Sequence, residues 1–187
     1  MVRLVLLIVF VLLVTATALA IKSCTKDDPA AAPPMSRDSG LVSLDDGSTM
    51  IAPDGTVGRE LVDWMAQSSP QQRLFELGGE EFVDRTAEPT LESRSRIPRL
   101  VAMLRANPDV DLVIVGHSDP SADPQADLAL SLLRAQTLLG LLEEGGVEAR
   151  RMRAEGRGAA EPIADNATAE GRSRNQRVTL LLSSRGR

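Results

Sequence analysis

Within residues 110–116, Leu112 and Ile114 alternate with Val113 and Val115, so apolar side chains fall on both faces, a pattern that at this length suits an inner strand. Gly116 ends the run. After an acidic loop carrying Asp119, Pro124 suits the first position of a helix with Asp123 as its N-cap. Leu128, Leu132, Ala135, Leu139 and Leu142 recur at helical spacing as one apolar face, and Asp127, Ser131 and Arg134 fall on another stripe. Upstream, Ile97, Leu100, Val101 and Leu104 form the inward face of a helix over residues 91–106, ended by Asn107-Pro108. Residues 74–82 predict the strand before it, with Gly78-Gly79 marking a bulge. Residues 41–53 alternate around Asp45-Asp46-Gly47 as a short hairpin, and residues 58–66 read as one amphipathic helix with Trp64 as its packing anchor. Downstream, the second long helix stops near Gly145-Gly146, and residues 151–155 predict a strand. Residues 177–183 predict the last strand, Val178, Leu180 and Leu182 alternating with Thr179, Leu181 and Ser183. The resulting order, β-α-β-α-β-β, is of α+β class: a two-layer sandwich with its helices on one face of a mixed sheet.

Composition narrows the function. With 187 residues and 43% apolar content, the chain has room for one domain with extensions and ample material for a core. A net charge of -5 and 2% aromatic content argue against a nucleic-acid partner, which calls for basic surface and stacking platforms. Arg94, Arg96 and Arg99 are accordingly read as a solvated helix face. Cys24 is the only cysteine, so no intramolecular disulfide is possible. Residues 4–21 are apolar without a charge, follow Arg3 and precede Lys22, which marks an export segment. That run is near the lower limit for a spanning helix, about 20 residues, and exceeds the roughly 7 to 15 of a cleaved signal core, so a retained membrane anchor is favoured. Two alternatives stay open: cleavage after Ala18-Leu19-Ala20, and a lipobox-like Ile21-Lys22-Ser23-Cys24 ahead of a lipidated cysteine, a pattern from which Lys22 departs. Residues 25–40, with Asp28-Pro29, Pro33-Pro34 and Ser39-Gly40, cannot bury a core and read as a tether. The expected organisation is a signal or anchor at 1–24, a tether at 25–40, a small hairpin-plus-helix subdomain at 41–71 and the main domain at 72–187.

Three fragments carry a family resemblance. Gly116-His117-Ser118-Asp119, then Leu130-Ser131-Leu132-Leu133-Arg134-Ala135, then the stretch from Gly156 to Val178 containing Asn175-Gln176-Arg177, occur in family order and spacing. Together they resemble the peptidoglycan-binding domain of the OmpA family, shared with the peptidoglycan-associated lipoprotein and the flagellar stator protein, and the resemblance covers residues 72–184. It implies the same two-layer sandwich, of the OmpA C-terminal type. A stator role is disfavoured, because proton conduction needs an ionisable side chain inside the membrane, and residues 4–21 offer only Thr15 and Thr17 as polar side chains.

No catalytic set is visible, and no enzyme activity is expected. The single histidine, His117, has no serine or cysteine partner in a recognisable motif and no second histidine for a metal site, so no metal or cofactor is expected. Its expected role is to hold the loop by a ring hydrogen bond. The resemblance implies a ligand instead. The free end of a meso-diaminopimelate side chain carries an ammonium and a carboxylate; Asp119 matches the residue that meets the ammonium, and Arg134 the one that meets the carboxylate, for which a planar guanidinium is suited. Leu130, Asp127, Asn175 and Arg177 complete the expected ligand-binding set. Two positions depart from the family: Asp127 stands where asparagine is usual, an acid expected to compete for Arg134, and Gln176 replaces the first arginine of Asn-Arg-Arg-Val. Taken without the motif, Asp119 would cap a turn and Arg134 would pair with Asp127 on the helix surface. The expected function is non-covalent binding of peptidoglycan by a membrane-anchored protein whose C-terminal domain lies in the periplasm, tethering membrane to wall. The alternative is a docking or assembly subunit that binds other envelope proteins and has little glycan affinity.

Overall fold

The computed structural model describes residues 40–44, 46–67, 71–77 and 80–185. The apolar run at 4–21, the tether apart from Gly40, Asp45 of the expected turn and the Gly78-Gly79 bulge lie outside the described residues. Among the described residues no helix is long and apolar enough to cross a membrane.

A short hairpin, β1 (Leu41–Ser43) and β2 (Thr49–Ile51), precedes α1 (Val57–Met65). Strand β3 (Gln71–Glu76), helix α2 (Leu91–Ala106), strand β4 (Val110–Gly116), helix α3 (Pro124–Glu144), strand β5 (Met152–Gly156), the short helix α4 (Ala169–Asn175) and strand β6 (Val178–Ser184) follow. Each helix opens on a side chain that accepts from its exposed first-turn amides: Thr56 for α1, Thr90 for α2, Asp123 for α3 and Thr168 for α4. The four-stranded sheet runs β3-β6-β4-β5, antiparallel between β3 and β6 and between β6 and β4, parallel between β4 and β5. It is therefore a mixed sheet, and α3 is the crossover that parallel strands require.

One face of that sheet is the core. Val110, Leu112 and Ile114 of β4 and Val178, Leu180 and Leu182 of β6 are buried against Leu100 and Leu104 of α2 and Leu138 and Leu142 of α3. On the opposite face Leu74 is exposed and in register with the half-buried Leu181, itself in register with the half-buried Val113, while Val115 and Thr179 at the site end are buried. The hairpin and α1, expected as a small subdomain, contribute Leu44, Leu61, Val62, Trp64 and Met65 to the same core. Trp64 meets Phe75 of β3 edge to face, with ring centroids 6.0 Å apart at 76°.

Two expectations are corrected. The first strand of the main domain ends at Glu76 rather than running on to residue 82; Phe82 instead forms an isolated bridge with Pro89 in the loop that follows. In α3, the inward stripe takes in the polar residues of the first half together with only the later part of the expected apolar face, Ala135, Leu139 and Leu142. Asp127, Ser131 and Arg134 are buried, continued by Ala135, Leu138 and Leu142, while Leu128 is exposed. The helix turns its polar stripe inward because its N-terminal half covers the ends of the strands, where polar partners await.

Candidate functional site

Two glycines in register set the site. At Gly116 of β4 a Cβ would clash with the backbone carbonyl of Ser131, and at Gly156 of β5 it would lie 2.7 Å from the backbone nitrogen of Leu132. Only hydrogen at both positions lets α3 lie directly on the strand ends. Ser131 fits there because its hydroxyl is fully used, donating to the Leu128 carbonyl at 2.8 Å and accepting from the Gly158 amide at 2.9 Å.

Beyond Gly116 the chain is still held as if in the sheet. His117 N–H donates to the Arg177 carbonyl and Ser118 N–H to the Gly158 carbonyl, each at 2.9 Å. The His117 ring is buried, with Nε2 3.2 Å from Thr179 Oγ1 and Nδ1 3.8 Å from a Glu161 oxygen. Burial first, and the positive charge of Arg177 second, push its pKa down to about 4, so the ring is neutral at neutral pH. Asp119 follows at the mouth, mostly buried.

The mouth is a cleft of about 410 Å³ lined by Phe82, Asp84, Arg85, Asp119, Arg172 and Gln176, with Glu80, Ala169 and Ser173 at its edges. One wall is the loop between β3 and α2. It is closed on itself by Val83 N–H to the Glu88 carbonyl (2.8 Å) and Thr86 N–H to the Val83 carbonyl (3.0 Å). At its tip Arg85 has φ 49°, a left-handed conformation rare for a residue with a Cβ. Its guanidinium points into the cleft, 3.6 Å from Asp119 and 3.6 Å from Asp127.

Asp127 and Arg134 lie beneath that surface. Asp127 Oδ2 accepts from the Ser121 amide at 2.7 Å, while the buried Oδ1 has no hydrogen bond. Burial works to raise its carboxyl, but the hydrogen bonding from Ser121 and the charge of Arg85 outweigh it and hold the group below the ordinary carboxylate range. Arg134, 1% exposed, donates through Nε to the Thr86 carbonyl (2.8 Å) and through Nη2 to Gln176 Oε1 (2.9 Å), with its guanidinium 5.4 Å from the Phe82 ring centroid. Nη1 makes no hydrogen bond among the described residues. Burial lowers the Arg134 pKa, partly opposed by Asp119 and Asp84, yet from so high a starting value that it stays charged.

Of the six residues expected at the site, the structure brings Asp119, Asp127 and Arg134 together. The expected competition of Asp127 for Arg134 is not the arrangement found: Asp127 pairs with Arg85, and Arg134 with Thr86 and Gln176. The other three lie elsewhere. Leu130 is half-buried on α3 and does not line the cleft. Asn175 has its amide fully engaged, accepting from Ile163 and Ala164 amides and donating to the Ala164 carbonyl and Asn166 Oδ1, so it ties down the loop before α4. Arg177 donates to the Glu161 carbonyl and lies near Glu76, behind the cleft beside His117. Arg85, Asp84 and Arg172 also line the cleft, and no motif marks them. A polar Asp84-Arg85-Thr86 turn was legible in the sequence, but nothing local says that it folds over Asp119. Gln176, noted only as a lost arginine, is the side chain that holds Arg134.

A mixed four-stranded sheet with helices on one face and a charged cleft at the strand ends defines a two-layer α/β sandwich. A sequence model of the OmpA family matches residues 74–176, and the chain belongs to that family. It is 39% identical over 84 residues to the probable lipoprotein YiaD of Escherichia coli, spanning 44% of this chain and 38% of the relative. It is 34% identical over 85 residues to the peptidoglycan-binding protein ArfA of Mycobacterium tuberculosis, spanning 46% of this chain and 26% of that one. The match thus covers well under half of each of these relatives. Among solved structures, the cell wall anchor of the T6SS from Pseudomonas aeruginosa superimposes with a TM-score of 0.55 at 31% identity, over 69% of this chain and 97% of that one.

Proposed function

We propose that the domain binds peptidoglycan non-covalently through the diaminopimelate end of its peptide stem, and that the protein holds the envelope membrane to the wall. The observation that carries this reading is the convergence of two carboxylates, Asp119 at the cleft mouth and the buried Asp127, on the one cation of Arg85, with the buried Arg134 guanidinium within the electrostatic reach of Asp119. A zwitterionic ligand end needs that pairing of opposite charges, and Nη1 of Arg134 is the donor left for its carboxylate. ArfA, named for binding peptidoglycan, and the wall anchor from P. aeruginosa support the ligand class. The apolar run at 4–21 supports attachment to a membrane, with the domain on its periplasmic side. Nothing in the cleft resembles a nucleophile with its base, and the reading is of a binding protein rather than an enzyme.

The test is co-sedimentation of the protein with insoluble sacculi, followed by calorimetry with a diaminopimelate-containing muropeptide. Truncating one partner of a desolvated charge pair costs roughly 2 to 5 kcal/mol, so Asp119→Ala should bind well over tenfold more weakly with an unchanged circular dichroism spectrum. Asp119 is the cleaner target, since Arg134 also holds Thr86 and Gln176 and its loss disturbs the cleft wall. If the parent does not bind, the domain is instead a docking surface for other envelope proteins.

A further inference from the structure

We propose that Arg85 is a specificity-determining residue of this cleft: an internal cation seated where the ligand's ammonium belongs, so that binding exchanges one cation for another. The inference rests on the diaminopimelate reading of the site. Arg85 reaches two carboxylates from different elements, Asp119 after β4 and Asp127 on α3, and lies 3.6 Å from each. Both separations exceed the roughly 2.7–2.9 Å of a charge-assisted hydrogen bond. The pairs therefore balance charge without using the acceptors, and Asp127 Oδ1, nearly completely buried, is left with no hydrogen bond at all. A compact ammonium, with three donors on one atom, can approach both carboxylates more closely than a guanidinium held at the tip of a closed loop.

Leaving the cleft costs Arg85 little. Its side chain is 47% exposed, so its charge is already partly hydrated. Its backbone gives a second indication. The left-handed φ of 49° suits glycine or asparagine far better than arginine, so an ill-suited residue occupies the loop position that aims a side chain between the two acids. A ligand that brings a free ammonium replaces the guanidinium; one whose amine is capped brings nothing to replace it with and leaves the site closed.

The experiment is calorimetry on the full-length protein and its Arg85→Gly variant, each with a diaminopimelate-containing muropeptide and with the same muropeptide N-acetylated at the diaminopimelate end. Removing the competing cation, with glycine keeping the left-handed turn, should tighten binding of the free-amine ligand by about tenfold or more, because the competent state no longer has to be uncovered. The acetylated ligand should gain nothing, and Arg85→Lys, which keeps a cation, should gain less than Arg85→Gly. Should Arg85→Gly fail to fold by circular dichroism, Arg85→Asn, also tolerant of this backbone conformation, takes its place. If the parent binds and the variant binds the free-amine ligand no better, or if both ligands gain equally, Arg85 is not a competing cation and only this inference fails. If neither protein binds either ligand, the peptidoglycan reading fails and this inference with it.

Discussion

His117 illustrates how a single residue of the site reports on folding rather than on ligand. Its folded pKa is about 4, against the ordinary 6.5 of an exposed imidazole, because burial opposes the charged form and Arg177 adds to that opposition. Above pH 6.5 the ring is neutral in both states and its contribution is complete. As pH falls from 6.5 towards 4, the unfolded chain takes up a proton that the folded one refuses, and stability drops. At about 1.4 kcal/mol per pH unit, the loss between pH 6.5 and 5 is roughly 2 kcal/mol. Glu81 works the other way, since burial raises its carboxyl. The measurement is therefore a difference: denaturant unfolding at both pH values for the parent and His117→Gln, the parent losing about 2 kcal/mol more. Equal losses would mean that His117 takes up its proton as readily in the folded protein as in the unfolded chain.

At the scale of the element, α3 carries the site because glycine at 116 and 156 lets it sit on the strand ends. Its stripe is polar at Asp127, Ser131 and Arg134, over the cleft, and apolar at Ala135, Leu138 and Leu142, over the sheet. A contrast between two glycines tests this placement. At Gly116 a methyl meets the Ser131 backbone, so Gly116→Ala should cost about 1 to 3 kcal/mol and weaken ligand binding by moving Asp127 and Arg134 away from Asp119. Gly140 lies within α3 with nothing within 4 Å of its added methyl, and Gly140→Ala should stabilise by about 0.5 to 1 kcal/mol through helix propensity. Thermal and denaturant unfolding of the two variants read both effects, and a stability gain at Gly116 would contradict the close approach.

For the whole molecule, the proposed tether role requires that this domain be joined to a membrane. The single cysteine at position 24 separates the modes of attachment. With the apolar run retained as an anchor, Cys24→Ser should leave the protein in the membrane fraction with the mass of the unprocessed chain, because roughly 18 or more apolar residues suffice to hold it. Release of the variant into the soluble fraction, or a parent heavier by a lipid, would make the protein a lipoprotein; a parent shortened near Ala20 would make it a released one.

Local chemistry was enough for much of this protein. The helix at Leu91–Ala106, the inner strand at Val110–Gly116 and the Asp123 cap of α3 were legible because caps, breakers and periodicity act between residues a few positions apart. Asp119 and Arg134 were legible through a motif, which records a tertiary arrangement in sequence order. What the sequence left undecided was partnership. The alternation of helices and strands leaves their order in the sheet open, and β6 sits between β3 and β4; the periodicity of α3 marks an apolar face, of which Leu128 is exposed while the polar stripe beside it is buried over the strand ends; and local spacing offers Arg134 to Asp127, whereas Arg134 bonds Thr86 and Gln176, 48 and 42 positions away. The reason is physical: hydrophobic periodicity says how much of a helix is buried, but which stripe faces in depends on what lies across the gap. Here two glycines and a ring of polar strand ends make burial of Asp127, Ser131 and Arg134 affordable, and only the folded chain brings Arg85 over them.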